Sequence, residues 1–354
     1  MGNTNDEDAR KRASREFQDD TLPMTLAESI RRKIAEMQAI AVEEPAVESG
    51  EASGAQRDAD ASIFPLGDSD SHFELSRNKH EEGSVLGNYD LLTLIHSGSM
   101  ARIFVAQHQL MGRRVAAKVL QSEQVQSTFM VKRLQEESRA LSRLKCPHVI
   151  DIHDFGISIA GYPYIIMELL EVPNLEELIK SKGRLAEMHS MQIIEQIAQA
   201  FNAAHESAIK YGNLKPAHVL VEEISQDEVR IKLIDFSGAC LEQGLPPLEP
   251  SLDLAPYMSP EQFSGAPLQV QSDIYSLACL TFEMLTGTPP FVAKSLPDYS
   301  QAHSEKQPQK VDSVVVSDQV YNVLFKAMEK DPGRRHQTVN EFVTELKSAL
   351  LCKK

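Results

Sequence analysis

The chain has 354 residues, 42% of them hydrophobic, enough to build a sizeable core. Its formal net charge is −15, and about −9 of that lies before residue 88. An acidic chain without a basic cluster is a poor nucleic-acid binder, so no nucleic-acid partner is expected.

Four cysteines (Cys146, Cys240, Cys279, Cys352) are scattered without metal-like pairing, which suits a reducing cytoplasm rather than a disulfide framework. No apolar run reaches the roughly 18 residues of a membrane span. The stretch from Asp6 to Arg15 is charged, so no signal peptide is expected, and Asp6 stands where a myristoylation motif needs Ser or Thr. The expected location is cytoplasmic.

Residues 1–87 are rich in Asp, Glu, Ser and Ala and poor in aromatics, so most of this region is expected to be disordered. One stretch differs. Thr25 and Glu28 form a capping box, followed by Leu26, Ile30, Ile34 and Met37 at helical spacing, which predicts an amphipathic helix over about 24–42. It reads either as a transient helix in a tail or as a segment that docks on this domain or on a partner.

From Asn88 the pattern becomes dense. Tyr89–Ile95, Ile103–Gln107 and Arg114–Leu120 read as strands, and a helix follows that ends near Leu144. Met130, Leu134, Leu141 and Leu144 make its apolar face, and Glu137 falls on that same face. A carboxylate on a buried stripe needs a cation, and Lys118 in Val-Ala-Ala-Lys is the candidate. Strands Ile150–Gly156 and Tyr162–Glu168 come next. Helices follow near Leu175–Lys180 and over Glu187–His205. Short strands Val219–Val221 and Val229–Ile234 flank a polar turn. Residues 239–258 hold four prolines and no predicted element, and such a long loop is usually functional. The segment from Pro246 to Pro250 reads as an extended recognition strand or as a stiffened loop. Helices over Asp273–Leu285, Asp318–Lys330 and Thr338–Leu351 close the chain.

This order of elements, with RRVAAKVL, PYIIMELLE, Asn213-Leu214-Lys215-Pro216, Asp235-Phe236, APYMSPEQ, SDIYSLACLTFEMLTGTPPF and KDPGRRHQT, resembles the protein kinase family, in particular its bacterial eukaryotic-like Ser/Thr type. The resemblance covers about residues 88–351. It implies an α+β, two-lobed protein kinase fold: a five-stranded antiparallel N-lobe sheet with one helix over 88–168, a hinge at 168–171, and a mainly helical C-lobe over 172–351. It further implies a nucleotide cleft drawing on Ile95, Gly98, Ile103, Ala116, Lys118, Glu137, Met167, Glu168, Leu170 and Leu220.

The departures from the family pattern are chemical. The glycine-rich loop keeps only Gly98, with His96 and Ala101 at the outer positions, where side chains crowd the phosphates. Lys118 and Glu137 match the ion pair that positions the α- and β-phosphates. Gly212 replaces the arginine that binds an activation-loop phosphate. Asn213 replaces the catalytic aspartate and is unable to take the substrate's proton. His218 replaces the asparagine of the second metal site and is a poor Mg²⁺ ligand. Lys215, which contacts the transferring phosphate in active kinases, is kept. Asp235 keeps one metal position, Phe236 a core position, and Ser237 takes the place of a glycine. No threonine lies between Asp235 and Glu261, and the segment before the Pro-Glu motif reads Leu252-Asp253-Leu254-Ala255-Pro256. By contrast Glu261, its partner Arg335, and Asp273 persist.

The functional expectation is a pseudokinase acting as regulator or scaffold through a protein partner, binding ATP or ADP weakly with one Mg²⁺ or Mn²⁺ at most. Two alternatives stand beside it. One is a weak or atypical Ser/Thr kinase, since positioning and electrostatics carry phosphoryl transfer. The other is a protein-interaction domain without nucleotide.

Overall fold

The computed structural model describes residues 82–351 apart from 99, 122–123, 125–126, 160, 226–227, 239–249 and 312–315. The helix expected at about 24–42 and the proline segment up to Glu249 lie outside the described residues. Residues 79–156 and 162–354 form one compact unit.

Six strands make the first sheet, in the order β1-β2-β3-β4-β6-β5. They are β1 (Val85–Leu86), β2 (Tyr89–Ser97), β3 (Ala101–His108), β4 (Arg114–Leu120), β5 (Ile152–Ile157) and β6 (Pro163–Met167). The pairings from β1 through β4, and of β4 with β6, are antiparallel. The sequence reading expects five strands starting at 88. The additional β1 pairs Leu86 with Tyr89 across a tight turn, and Leu86 is fully buried. Two residues are too few to show period-two alternation, which is why the pattern misses them. Leu86, Leu91, Phe104, Ala117, Tyr164 and Ile166 form the core of this lobe.

Helix α1 (Thr128–Arg143) is inserted between β4 and β5. Ser127 caps it by accepting from the Met130 N–H at 3.3 Å. Its buried face is wider and more polar than the apolar stripe predicts: Leu134 and Leu141 are buried, but so are Arg133, Glu136 and Glu137.

The second lobe contains α2 (Leu175–Lys182), α3 (Glu187–Glu206), α4 (Pro260–Phe263), α5 (Val270–Thr286), α6 (Leu296–Glu305), α7 (Asp318–Ala327) and α8 (Val339–Leu351). Its two-stranded sheet pairs β7 (Val219–Glu223) with β8 (Val229–Leu233). Helix α5 is buried almost all round, as a helix without a polar face must be. Helix α6 is absent from the sequence reading: only Tyr299, Ala302 and His303 of its ten residues are buried, too few for a stripe.

The framework contact expected from sequence, Glu261 with Arg335, is present, and Asp273 adds a second. Arg335 grips Glu261 through two charge-assisted bonds of 2.7 and 2.9 Å in the core. Asp273 accepts from the backbone N–H groups of Tyr211 at 2.9 Å and Gly212 at 2.8 Å. The first turn of α5 thereby fixes the backbone that leads into the candidate catalytic loop.

Candidate active site

Strand β4 alternates, so Ala116 and Lys118 share one face while Ala117 and Val119 pack into the N-lobe core. Lys118 lies opposite Ile103 on β3, and Ala116 lies opposite Met167 on β6. Ala116, Met167, Ile103 and Leu170 all join the large apolar cluster continuous with the second lobe. These four make a shared apolar wall. Leu220 on β7 is half-buried and bridged to Asn174. Ile95 stays exposed on β2. The Glu168 side chain accepts from Lys232 at 2.6 Å and from the Asp151 N–H at 2.8 Å, which pins the start of the hinge to β8.

The tip between β2 and β3 is short. The Gly98 N–H donates to the Ala101 carbonyl at 3.1 Å, and the Gln121 side chain donates to the Gly98 carbonyl. A Cβ built on Gly98 would lie 3.3 Å from His96 Nε2, so the imidazole lies against the one remaining glycine.

Lys118 is the electrostatic centre. Its ammonium is buried and donates to both Glu137 oxygens at 2.7 and 2.8 Å and to Asp235 Oδ1 at 3.1 Å. Burial works against this charge, but the Asp235 and Glu137 carboxylates outweigh it and hold the Lys118 pKa above the ordinary lysine value. Burial also pushes the Glu137 carboxyl upward, against the pull of Lys118. Asp235 is half-buried, and although desolvation works against its charge, Lys118, His218 and the Ser237 N–H hold its carboxyl well below the usual carboxylate range. The ion pair expected between Lys118 and Glu137 is therefore a three-member cluster.

Asp235 has φ 62°, a left-handed conformation, and its Oδ1 also accepts from the Ser237 N–H at 3.2 Å. Position 237 does not carry the left-handed residue of this turn, so a serine fits there without strain. What Ser237 changes is hydrogen bonding. The Asn213 amide donates to Ser237 Oγ at 3.0 Å and lies 3.4 Å from the Asp235 carbonyl. Gly238, next in the chain, admits no side chain, because a Cβ would lie 2.6 Å from the Tyr211 carbonyl. Tyr211 stacks edge-on to Phe236 at 4.7 Å and donates to the Ile234 carbonyl at 2.6 Å.

His218 closes the 3₁₀ turn Pro216–His218. Its Nδ1 is 2.8 Å from the Asn213 carbonyl and its Nε2 is 3.3 Å from Asp235 Oδ2. Burial keeps its pKa below the ordinary histidine value, although Asp235 pulls the other way. Lys215 is paired with Asp253 in the segment before the Pro-Glu motif. Burial opposes the Asp253 carboxylate, but the Lys215 and Ser251 bonds lower its pKa to about 2.

Four contributors escape the sequence reading. Arg133 on α1 donates to the Ser237 carbonyl at 2.5 Å. Asp253 neutralises Lys215, Gly238 fits the turn, and Lys232 holds the hinge. Arg133 lies four residues before Glu137, one helical turn away, and that spacing was the available signal. The other three are single residues in loops or on strands and leave no periodic trace.

A single divalent cation would find the Asp235 carboxylate and the His218 imidazole here. Asp235 suits Mg²⁺, whereas the nitrogen of His218 does not. Among the described residues no group of three or more His, Cys, Asp or Glu side chains converges into a metal site. No described helix is long and apolar enough to cross a membrane.

Residues 89–346 match the family model described as "Protein kinase domain". Serine/threonine-protein kinase PrkC of Bacillus subtilis is 31% identical over 269 residues, 75% of this chain and 41% of its own length. Serine/threonine-protein kinase PknD of Mycobacterium tuberculosis is 30% identical over 271 residues, 76% of this chain and 40% of its own length. Serine/threonine-protein kinase PknH of Mycobacterium bovis is 34% identical over 223 residues, 62% of this chain and 37% of its own length. The chain thus matches about two fifths of the length of these curated relatives. Protein kinases as a family use ATP with Mg²⁺ or Mn²⁺. With the Lys118–Glu137 pair, the Asp235-Phe236 turn and the Glu261–Arg335 anchor all in place, the chain belongs to the protein kinase family.

Proposed function

We propose that this domain is a pseudokinase: a nucleotide-responsive regulator or scaffold, with little or no phosphoryl transfer, that acts in cytoplasmic signalling through a protein partner. The observation that carries the reading is the state of Asn213. Its amide is a donor, bonded to Ser237 Oγ at 3.0 Å, where a kinase needs a carboxylate that accepts the substrate's proton. Loss of a general base typically costs about 10²–10⁴ in rate. The retained Lys118–Glu137–Asp235 cluster supports residual ATP or ADP binding.

A thermal-shift titration with ATP and Mg²⁺ or Mn²⁺ tests the nucleotide arm. A ligand that binds only the native state raises the melting temperature. No shift at millimolar nucleotide would favour a domain that binds proteins alone. Incubation with labelled ATP tests the catalytic arm, and the expected result is no transfer to itself or to a generic substrate. Transfer that disappears in Lys118→Ala and Asp235→Ala would sink the pseudokinase reading and establish an atypical Ser/Thr kinase. That second reading is favoured by the same intact charge cluster.

A further inference from the structure

The helical lobe holds a recess lined by none of the residues of the Lys118 cluster. It is formed by the C-terminal ends of α2 and α5, the start of α3, and Val316 just before α7. Its volume is about 320 Å³, at the lower end of the roughly 300–1,000 Å³ of ligand sites. Leu185, Leu285 and Val316 give it apolar walls continuous with the core of the lobe. Those walls are fixed to one another. Gly183 and Gly287 end α2 and α5 at φ 76° and 85°, and a Cβ on Gly287 would overlap the Gly183 carbonyl oxygen, so the two turns touch. The Leu185 N–H donates to the Met284 carbonyl at 2.8 Å. A recess framed in this way does not close by collapse of its walls.

Lys182 and Arg184 also line the recess, and both are exposed. With Lys180 they place three cations within five residues, in a chain whose net charge is −15. Lys180 is paired with Glu176 at 2.9 Å and Lys182 with Glu223. Both lie in the last turn of α2, where a cation also serves the helix dipole. That account does not extend to Arg184, which lies beyond the Gly183 cap and has no hydrogen-bond or ion-pair partner among the described residues. The one carboxylate of the lining, Glu187, has a contact of its own. Met188, next on α3, is 66% exposed and enlarges the apolar surface beside it. We propose that this recess docks an acidic peptide segment of a protein partner, in which an aliphatic side chain is flanked by carboxylates. The aliphatic side chain fills the recess, one carboxylate takes the guanidinium fork of Arg184, and the other is drawn to Lys182. This gives the protein partner of the reading above a chemistry, and it rests on that reading only in supposing that a partner exists.

The test follows the fluorescence anisotropy of a fluorescein-labelled peptide, Glu-Glu-Leu-Glu-Glu, titrated with the full chain. Saturable binding is expected, with a Kd of about 10–300 µM for one short peptide with a single anchor. Arg184→Glu should weaken it by at least about tenfold, and so should Val316→Asp, with folding checked by melting. Arg184 is exposed, so its variant tests the site whatever Val316→Asp does to the fold. Serine in place of the peptide's leucine should cost about tenfold as well. The absence of saturable binding overturns the site, as does binding unchanged in Arg184→Glu. Equal binding of the serine peptide, or of Lys-Lys-Leu-Lys-Lys, overturns it too. Nucleotide binding is read separately with a fluorescent ATP analogue. Nucleotide bound without peptide binding sinks this inference alone, and peptide bound without nucleotide binding sinks only the nucleotide part of the reading above.

Discussion

At the scale of single residues, Lys118 neutralises two carboxylates at once, the buried Glu137 and the half-buried Asp235. Lys118→Met should therefore destabilise the fold by about 3–5 kcal/mol in urea denaturation, because it strands Glu137 and Asp235. Adding Glu137→Gln to that variant should recover part of the loss, and an additive double mutant would show that the two side chains are not coupled. Asn213 is the second residue to test. In Asn213→Asp a carboxylate replaces the amide, and Ser237 Oγ can donate to it. Any trace of phosphoryl transfer by the wild type should rise in this variant. Unchanged transfer would mean that the missing base is not what limits the chemistry. Asp253 is held by Lys215, and its pKa is lowered to about 2. Its contribution is therefore present above about pH 4 and lost as pH falls towards 2, and it is small because the carboxylate is more than half exposed.

At the scale of elements, α1 is tied to the second lobe twice. Glu137 holds it through Lys118 and Asp235, and Arg133 holds it directly through the Ser237 carbonyl. Arg133→Met keeps much of the apolar stem while removing those donors. It should speed amide exchange along α1 by about tenfold or more, with smaller effects in α5, because a buried charge-assisted bond is worth about 1.5–3 kcal/mol. Equal effects in both helices would indicate a general loss of stability instead. The element order of the kinase fold was largely legible, since β2–β4, α1, α3 and α5 each carry a long periodic pattern. The two-residue β1 and the polar α6 carry none. In the site, Lys118 and Glu137 could be paired from sequence because a buried charge demands a partner, whereas the third member, Asp235, shows only in the structure. The contacts of Asp253 and Gly238 could not be read from sequence, because they depend on how loops from distant parts of the chain come to lie together, and the helical spacing of Arg133 from Glu137 marks its face but not its partner.

At the scale of the whole molecule, the second lobe supplies a pH dependence of its own. His303 is fully buried, 2.8 Å from the Tyr275 hydroxyl and beside Phe291, and burial together with Lys330 lowers its pKa to about 3. The unfolded chain takes up this proton near pH 6.5. The stabilisation from the neutral ring is thus complete above that pH and drains away as pH falls towards about 3, at no more than about 1.4 kcal/mol per pH unit. His303→Phe, which cannot titrate, should flatten the dependence of the urea midpoint on pH across this window. An unaltered slope would place the titrating group elsewhere. The Lys215–Asp253 contact has a different consequence, one of information rather than stability. In a switchable kinase the activation segment is a place where an upstream enzyme writes, and an arginine in the catalytic loop is the reader. Here Gly212 leaves no reader, and the chain between Asp235 and Glu261 offers no threonine to write on. The lysine that would meet the transferring phosphate already holds an acidic group from the chain itself. On the pseudokinase reading proposed above, a threonine-written input of that kind is closed, and binding of a ligand or partner is the input left to this domain.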